Sequence, residues 1–224
     1  MEKENIKLIH GDCFEVLNNI DDKSIDLILT DIPYGKVNRQ SNGLRNLDKQ
    51  KADVVDFNIT ELVNLLCKKS KGSIYIFCGT EQVSEIRHAM VNNGLSTRLI
   101  IWEKTNPNPM NGQSIWLSGI ECCVFGKFKG AVFNEHCKNC VLRFPTQKGK
   151  THPTMKPLKL LEYIMTVSSN ENDLVLDCFA GSMTTAIAAI NLKRKCICIE
   201  KDKTYFESGK QRVENHLINN NILF

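Results

Sequence analysis

The chain has 224 residues, 42% of them hydrophobic, and a net charge of +4. That length carries one well-buried domain and is short for two, and the charge excludes a polycation of the kind that coats nucleic acid. No apolar run approaches the ~18 residues of a membrane span, so no membrane partner is expected.

The start, Met1-Glu2-Lys3-Glu4-Asn5, is charged where a signal peptide is apolar. Ten cysteines lie mostly in apolar stretches, as buried free thiols do in a reducing cytosol. A soluble, intracellular chain in the cytoplasm is expected.

In chain order, β-branched runs at 7–9, 25–29, 73–77, 97–102, 121–125, 174–176 and 196–199 predict strands. Between them, apolar residues at helical spacing predict helices at about 12–19, 53–69, 80–93, 157–168, 183–192 and 203–218. The alternation predicts an α/β three-layer sandwich on a mainly parallel twisted sheet, one domain over 1–224. Such sheets bind ligands at the carboxyl ends of their strands. Two stretches break the pattern. Residues 35–52 read as a mobile basic loop with Lys36, Arg39, Arg45, Lys49 and Lys51 against one acid, and 105–118 is rich in Asn, Pro and Gly.

The run 26–31 is an apolar strand ending on Asp31, followed by Ile32-Pro33-Tyr34. An aromatic amine is a poor nucleophile because its lone pair is delocalised into the ring. Asp31 could accept one N–H and the Ile32 carbonyl the other, turning the nitrogen's lone pair outward. Tyr34 offers a face on which a flipped base can stack, and Pro33 pre-sets the backbone. Alone, the tetrapeptide also fits a plain strand-to-loop turn. It opens, however, straight into the basic loop.

Further on, Cys137-Lys138-Asn139-Cys140 beside His136 has a metal-like spacing. A zinc site needs four ligands, and the neighbouring Cys122-Cys123 pair would point opposite ways on a strand. A bland loop is the reading, with no metal. A second basic stretch carries Arg143, Lys148, Lys150 and Lys156.

Near the C-terminus, 174–182 reads as a buried strand running through Asp177 and Phe179 into a turn at Gly181-Ser182, then a helix. The next strand ends on Glu200, where a carboxylate can accept both hydrogens of a ribose diol while the turn admits a ligand to the helix N-terminus. An ordinary crossover with an exposed Glu200 fits the segment too. Asp177, at a strand exit, would repel a pyrophosphate and meet the cationic end of an amino-acid-bearing nucleoside, which favours S-adenosylmethionine.

These residues resemble the β class of DNA amino-methyltransferases, the adenine-N6 and cytosine-N4 enzymes of restriction-modification and phage systems. Ile9-His10-Gly11-Asp12-Cys13 looks like the family's entry segment and Asp31-Ile32-Pro33-Tyr34 like its catalytic D-P-P-Y. Ile101-Trp102-Glu103-Lys104-Thr105-Asn106-Pro107 is similar to the W-x-K segment bordering the target site, and His152-Pro153-Thr154-Met155-Lys156-Pro157 to H-P-x-x-K-P. Asp177-Cys178-Phe179-Ala180-Gly181-Ser182-Met183-Thr184-Thr185 resembles D-P-F-x-G-S-G-T-T. The order, catalytic motif first, is the β-class permutation.

The resemblance implies the Rossmann-like fold of S-adenosylmethionine-dependent methyltransferases. It places Asp12, Asp31, Asp177, Phe179, Gly181, Ser182, Thr184 and Glu200 around the cofactor, with His152 and Lys156 near its amino-acid end. It implies double-stranded DNA as partner, target recognition within about 105–150, a homodimer and a cognate restriction endonuclease. Asp31 favours adenine, since cytosine-N4 enzymes mostly carry Ser there. A cytosine-N4 enzyme, an RNA methyltransferase with the same tetrapeptide, and a catalytically impaired DNA-binding protein remain as alternatives. Three departures stand out: Ile32 for the first proline, Cys178 for a proline, and Met183 for a glycine, where a side chain must be fitted beside the cofactor turn.

Overall fold

A computed structural model describes residues 2–3, 5–35, 55–109, 116–147 and 155–220. All of the basic loop at 35–52 except Gly35, the centre of the 105–118 stretch, and His152 with Lys148 and Lys150 lie outside the described residues.

In chain order the elements are β1 (Glu2–Lys3), β2 (Ile6–His10), α1 (Cys13–Asn18), β3 (Ile25–Asp31), α2 (Ile59–Lys69), β4 (Ser70–Cys78), α3 (Val83–Asn92) and β5 (Ser96–Lys104). There follow β6 (Ile120–Lys127), β7 (Val141–Phe144), α4 (Leu158–Ser168), β8 (Leu174–Asp177), α5 (Thr184–Asn191), β9 (Lys195–Glu200) and α6 (Lys203–Asn219). Capping sets several starts. The helix expected from 53 begins at Ile59, because the Asn58 side chain accepts the Glu61 N–H at 2.9 Å, and Asp12 and Asp202 cap α1 and α6 in the same way.

The strands form one sheet in the order β1-β2-β9-β8-β3-β4-β6-β5-β7. Pairings from β2 through β4 are parallel, whereas β6 runs antiparallel between β4 and β5. Alternation along the strands feeds two cores. Leu27, Leu29, Cys123 and Phe125 face α4, α5 and α6; Ile28, Cys122 and Val124 face α1, α2 and α3. Cys122 and Cys123 therefore do point opposite ways.

β7 was not read from the sequence. Its four residues, three half-exposed and Arg143 exposed, pair along β5 at the sheet edge, and the buried Trp102 indole donates to the Phe144 carbonyl at 2.9 Å to fix it.

From β3 the chain crosses by α2 to β4 on one side, and from β8 by α5 to β9 on the other. The order reverses between β3 and β8, and a doubly wound sheet has its ligand crevice at such a point.

Candidate active site

Asp31 and Asp177 end the two strands that flank this reversal. Asp177 does not open to a ligand cation, as its place at a strand exit suggested. Its Oδ1 accepts from Thr30 Oγ1 at 2.9 Å and from the Phe179 N–H at 3.2 Å, and its Oδ2 accepts from Thr185 Oγ1. Burial pushes its carboxyl up to about 6 against these bonds. Asp177 is a buried strut tying β8 to β3 and to the first turn of α5.

Asp31 lies in a charged cluster. Lys156 Nζ donates to Asp31 Oδ2 at 2.5 Å and lies 3.0 Å from Glu121 Oε2. The Tyr34 hydroxyl donates to Asp31 Oδ1 at 2.9 Å and also reaches Glu121 at 3.2 Å. Lys104, at the end of β5, holds Glu121 from behind at 2.9 Å. Burial raises the Asp31 carboxyl, opposed by the ammonium of Lys156. Burial also acts on Glu121, but Lys156 and Lys104 hold it below the usual carboxylate range. Despite its burial Lys156 titrates above an ordinary lysine, because Asp31 and Glu121 both face it. It is thus a buried member of the Asp31 cluster and not a surface cation of the 143–156 stretch.

The turn after Asp31 is held from outside. The Ile32 N–H donates to the Phe77 carbonyl at 3.2 Å, and Gln82 Nε2 donates to the Pro33 carbonyl at 2.8 Å. Gln82 is fixed in turn by the Gly79 N–H on its Oε1 at 2.8 Å. The Ile32 side chain is buried in the α1–α3 core, so it serves as an anchor where the family has a ring. Among the described residues the Ile32 carbonyl accepts no hydrogen bond.

The other half of the crevice collects Asp12, Phe179, Gly181, Ser182 and Glu200. Glu200 Oε2 accepts the Gly181 N–H at 2.7 Å and Oε1 the Asp202 N–H at 2.8 Å, so the acid braces the turn. Burial raises its carboxyl. Asp12, on the neighbouring strand exit, lies 3.2 Å from Lys201, which also meets Asp56 at 3.1 Å. The Phe179 ring stacks on Phe57 with centroids 5.4 Å apart, and Phe14 lies 6.0 Å beyond. Thr184 is buried, its hydroxyl accepting from Arg212 at 2.8 Å, while the same guanidinium holds the Ser182 carbonyl at 2.7 Å.

With this geometry in view, a family model described as DNA methylase matches residues 115–211. The chain is 30% identical over 244 aligned residues to the Type II methyltransferase M2.LlaDCHI of Lactococcus lactis subsp. cremoris, covering 95% of this chain and 90% of that one. The chain belongs to the N6/N4 DNA methyltransferase family.

A crystal structure of the M1.HpyAVI-SAM complex superposes with a TM-score of 0.74 at 32% identity, covering 93% of this chain and 98% of that one. The fold also matches a cytosine-N4-specific methyltransferase, PvuII, with a TM-score of 0.75 at 19% identity over 94% of this chain and 86% of that one. The fold of the N6/N4 family therefore does not choose between the two bases.

The residues at the β8–β9 end suit the family's methyl donor. Glu200 and Asp12 supply two acceptors at adjacent strand exits, and Phe179 with Phe57 supplies flat apolar surface beside them. Met183 leaves this space open. It adopts a left-handed conformation (φ 57°), and its buried side chain turns into the core against Gly209 of α6, where a Cβ would lie 2.5 Å from Met183 Cγ. Sequence reasoning missed Glu121, Phe57, Gln82 and Arg212. For Glu121 a signal was present: Lys104 and Lys156 are two cations that need a buried partner.

Proposed function

We propose that this N6/N4 methyltransferase acts on adenine, transferring a methyl group to N6 of a base flipped out of double-stranded DNA at a specific site. The observation that carries the reading is the Asp31 carboxylate at the mouth of the β3 end, 28% exposed, next to the Ile32 carbonyl, which accepts no hydrogen bond among the described residues. S-adenosylmethionine supplies an electrophilic methyl group when bound. Asp12, Glu200, Phe179 and the Gly181-Ser182 turn would hold it, with Arg212 bracing the turn.

Asp31 accepts one hydrogen of the exocyclic amine and the Ile32 carbonyl the other. Two acceptors set apart in this way draw the nitrogen toward a tetrahedral shape and free its lone pair. The proton that the amine sheds is taken at the Asp31 carboxylate, which burial makes more basic than usual. Tyr34 is positioned by its hydroxyl, which leaves the ring to meet the base. A homodimer and a cognate endonuclease belong to the same reading, as does action in the cytoplasm.

The test is Asp31→Ala. Methyl transfer should fall by about 10²–10⁴-fold with S-adenosylmethionine affinity largely kept. Transfer near the wild-type rate would remove Asp31 from the mechanism.

A further inference from the structure

Glu121, the second residue of β6, carries a charge that two-point holding of the amine does not use. Its side chain is 20% exposed and meets Lys156 at 3.0 Å and Lys104 at 2.9 Å, with the Tyr34 hydroxyl at 3.2 Å. Asp31 takes the other contacts of two of those donors, Lys156 and Tyr34. Two carboxylates therefore share one ammonium and one phenol, and Lys104 balances the pair, so the group as a whole is neutral.

We propose that Glu121 is a positioning residue for methyl transfer: it holds Lys156 and the Tyr34 hydroxyl when the target amine competes with them for Asp31. The proposal rests on Asp31 as the acceptor of the amine.

In the free protein Lys156 and Tyr34 occupy one lone pair on each oxygen of Asp31. A carboxylate offers roughly four such directions, so an incoming amine shares the two oxygens with these donors and weakens their hold on Asp31. Lys156 is 7% exposed, and an ammonium so deeply buried can leave one carboxylate only if another takes it. Glu121 already touches it, so the shift is a change of emphasis between two existing bonds. Without Glu121 the ammonium would remain on Asp31, and the site would carry an uncompensated positive charge from Lys104.

The charge on Glu121 also raises the Asp31 carboxyl, in addition to burial. The other titratable groups facing Asp31 are Lys156, Tyr34, Cys78 of β4, Cys123 of β6 and Asp177 of β8. Burial pushes the Cys78 thiol up to about 12 and raises that of Cys123 well beyond its ordinary value, so neither is charged near neutrality. Asp177 titrates at about 6, and the donors it accepts from are Thr30, Thr185 and the Phe179 N–H, none of which is changed in these variants.

The experiment compares full-length wild type with Glu121→Gln, Glu121→Asp and Lys104→Gln, using unmethylated genomic DNA and radiolabelled S-adenosylmethionine. Glu121→Gln should lower kcat about ten- to a hundredfold with cofactor affinity unchanged, and move the acid limb of the kcat–pH profile to lower pH. Glu121→Asp should keep the limb in place and recover much of the rate. Lys104→Gln, which removes the opposing charge, should move the limb to higher pH, and it carries the test if Glu121→Gln does not fold. Limbs that stay put in both charge-removing variants would overturn the proposal, as would a Glu121→Gln rate within twofold of wild type. Asp31→Asn run alongside separates the two readings: if it is active, the role of Asp31 fails first.

Discussion

Asp31 and Asp177 end neighbouring strands, yet their surroundings assign them different work. Asp31 faces an ammonium and the mouth of the crevice, whereas Asp177 accepts two hydroxyls and a backbone N–H under full cover. The difference has a pH signature. An aspartate raised to about 6 in the folded chain binds its proton more tightly there than when unfolded, so its contribution to stability falls as pH rises from about 4 to 6. The stability of Asp177→Asn relative to wild type should therefore climb by about 2–3 kcal/mol at most across that window and then level off. Urea titrations at several pH values would measure it, and a flat difference would contradict the assignment. The sequence showed both acids, but not that Thr30 and Thr185 would close over one of them. Nor did it show Lys156 reaching Asp31, since a contact spanning 125 positions depends on sheet order.

At the scale of elements, most strands and helices were legible because hydrophobic period and β-branching agree along them. β7 was not: four edge residues, none of them buried, inside a polar stretch carry no alternation strong enough to read. Met183 was legible as a departure, though not in direction. A left-handed residue at the start of α5 swings its side chain toward α6 and away from the turn, and only the packing partner Gly209 makes room for it. Gly209→Ala should therefore destabilise the chain by about 1–3 kcal/mol. Met183→Gly should also destabilise, because the buried side chain it loses outweighs the backbone strain it relieves. The pair should be less harmful together than their sum by at least about 0.5 kcal/mol, since the glycine removes the Met183 Cγ that the new Cβ would meet at 2.5 Å, leaving the Gly181 carbonyl oxygen at 2.9 Å. Additive losses in denaturant unfolding would show that the two sites do not touch.

For the whole molecule, both halves of the crevice exist only because the strand order reverses between β3 and β8. The residues proposed to hold the amine sit on one side of that line, those proposed to hold the methyl donor on the other, and Asp177 pins the seam. The sequence placed the two halves by motif order; the seam required the fold. S-adenosylmethionine should accordingly stabilise the whole chain as one unit, by about 2.7 kcal/mol at a hundredfold excess over its Kd, which for a domain of this size raises Tm by roughly 5–10 °C. No shift at millimolar ligand would contradict a working donor site. The base is decided elsewhere, by digesting DNA methylated by the purified protein and identifying the modified nucleoside by mass spectrometry. N6-methyldeoxyadenosine is the expected product; N4-methyldeoxycytidine in its place, or no methylated nucleoside at all, would contradict the adenine-N6 assignment.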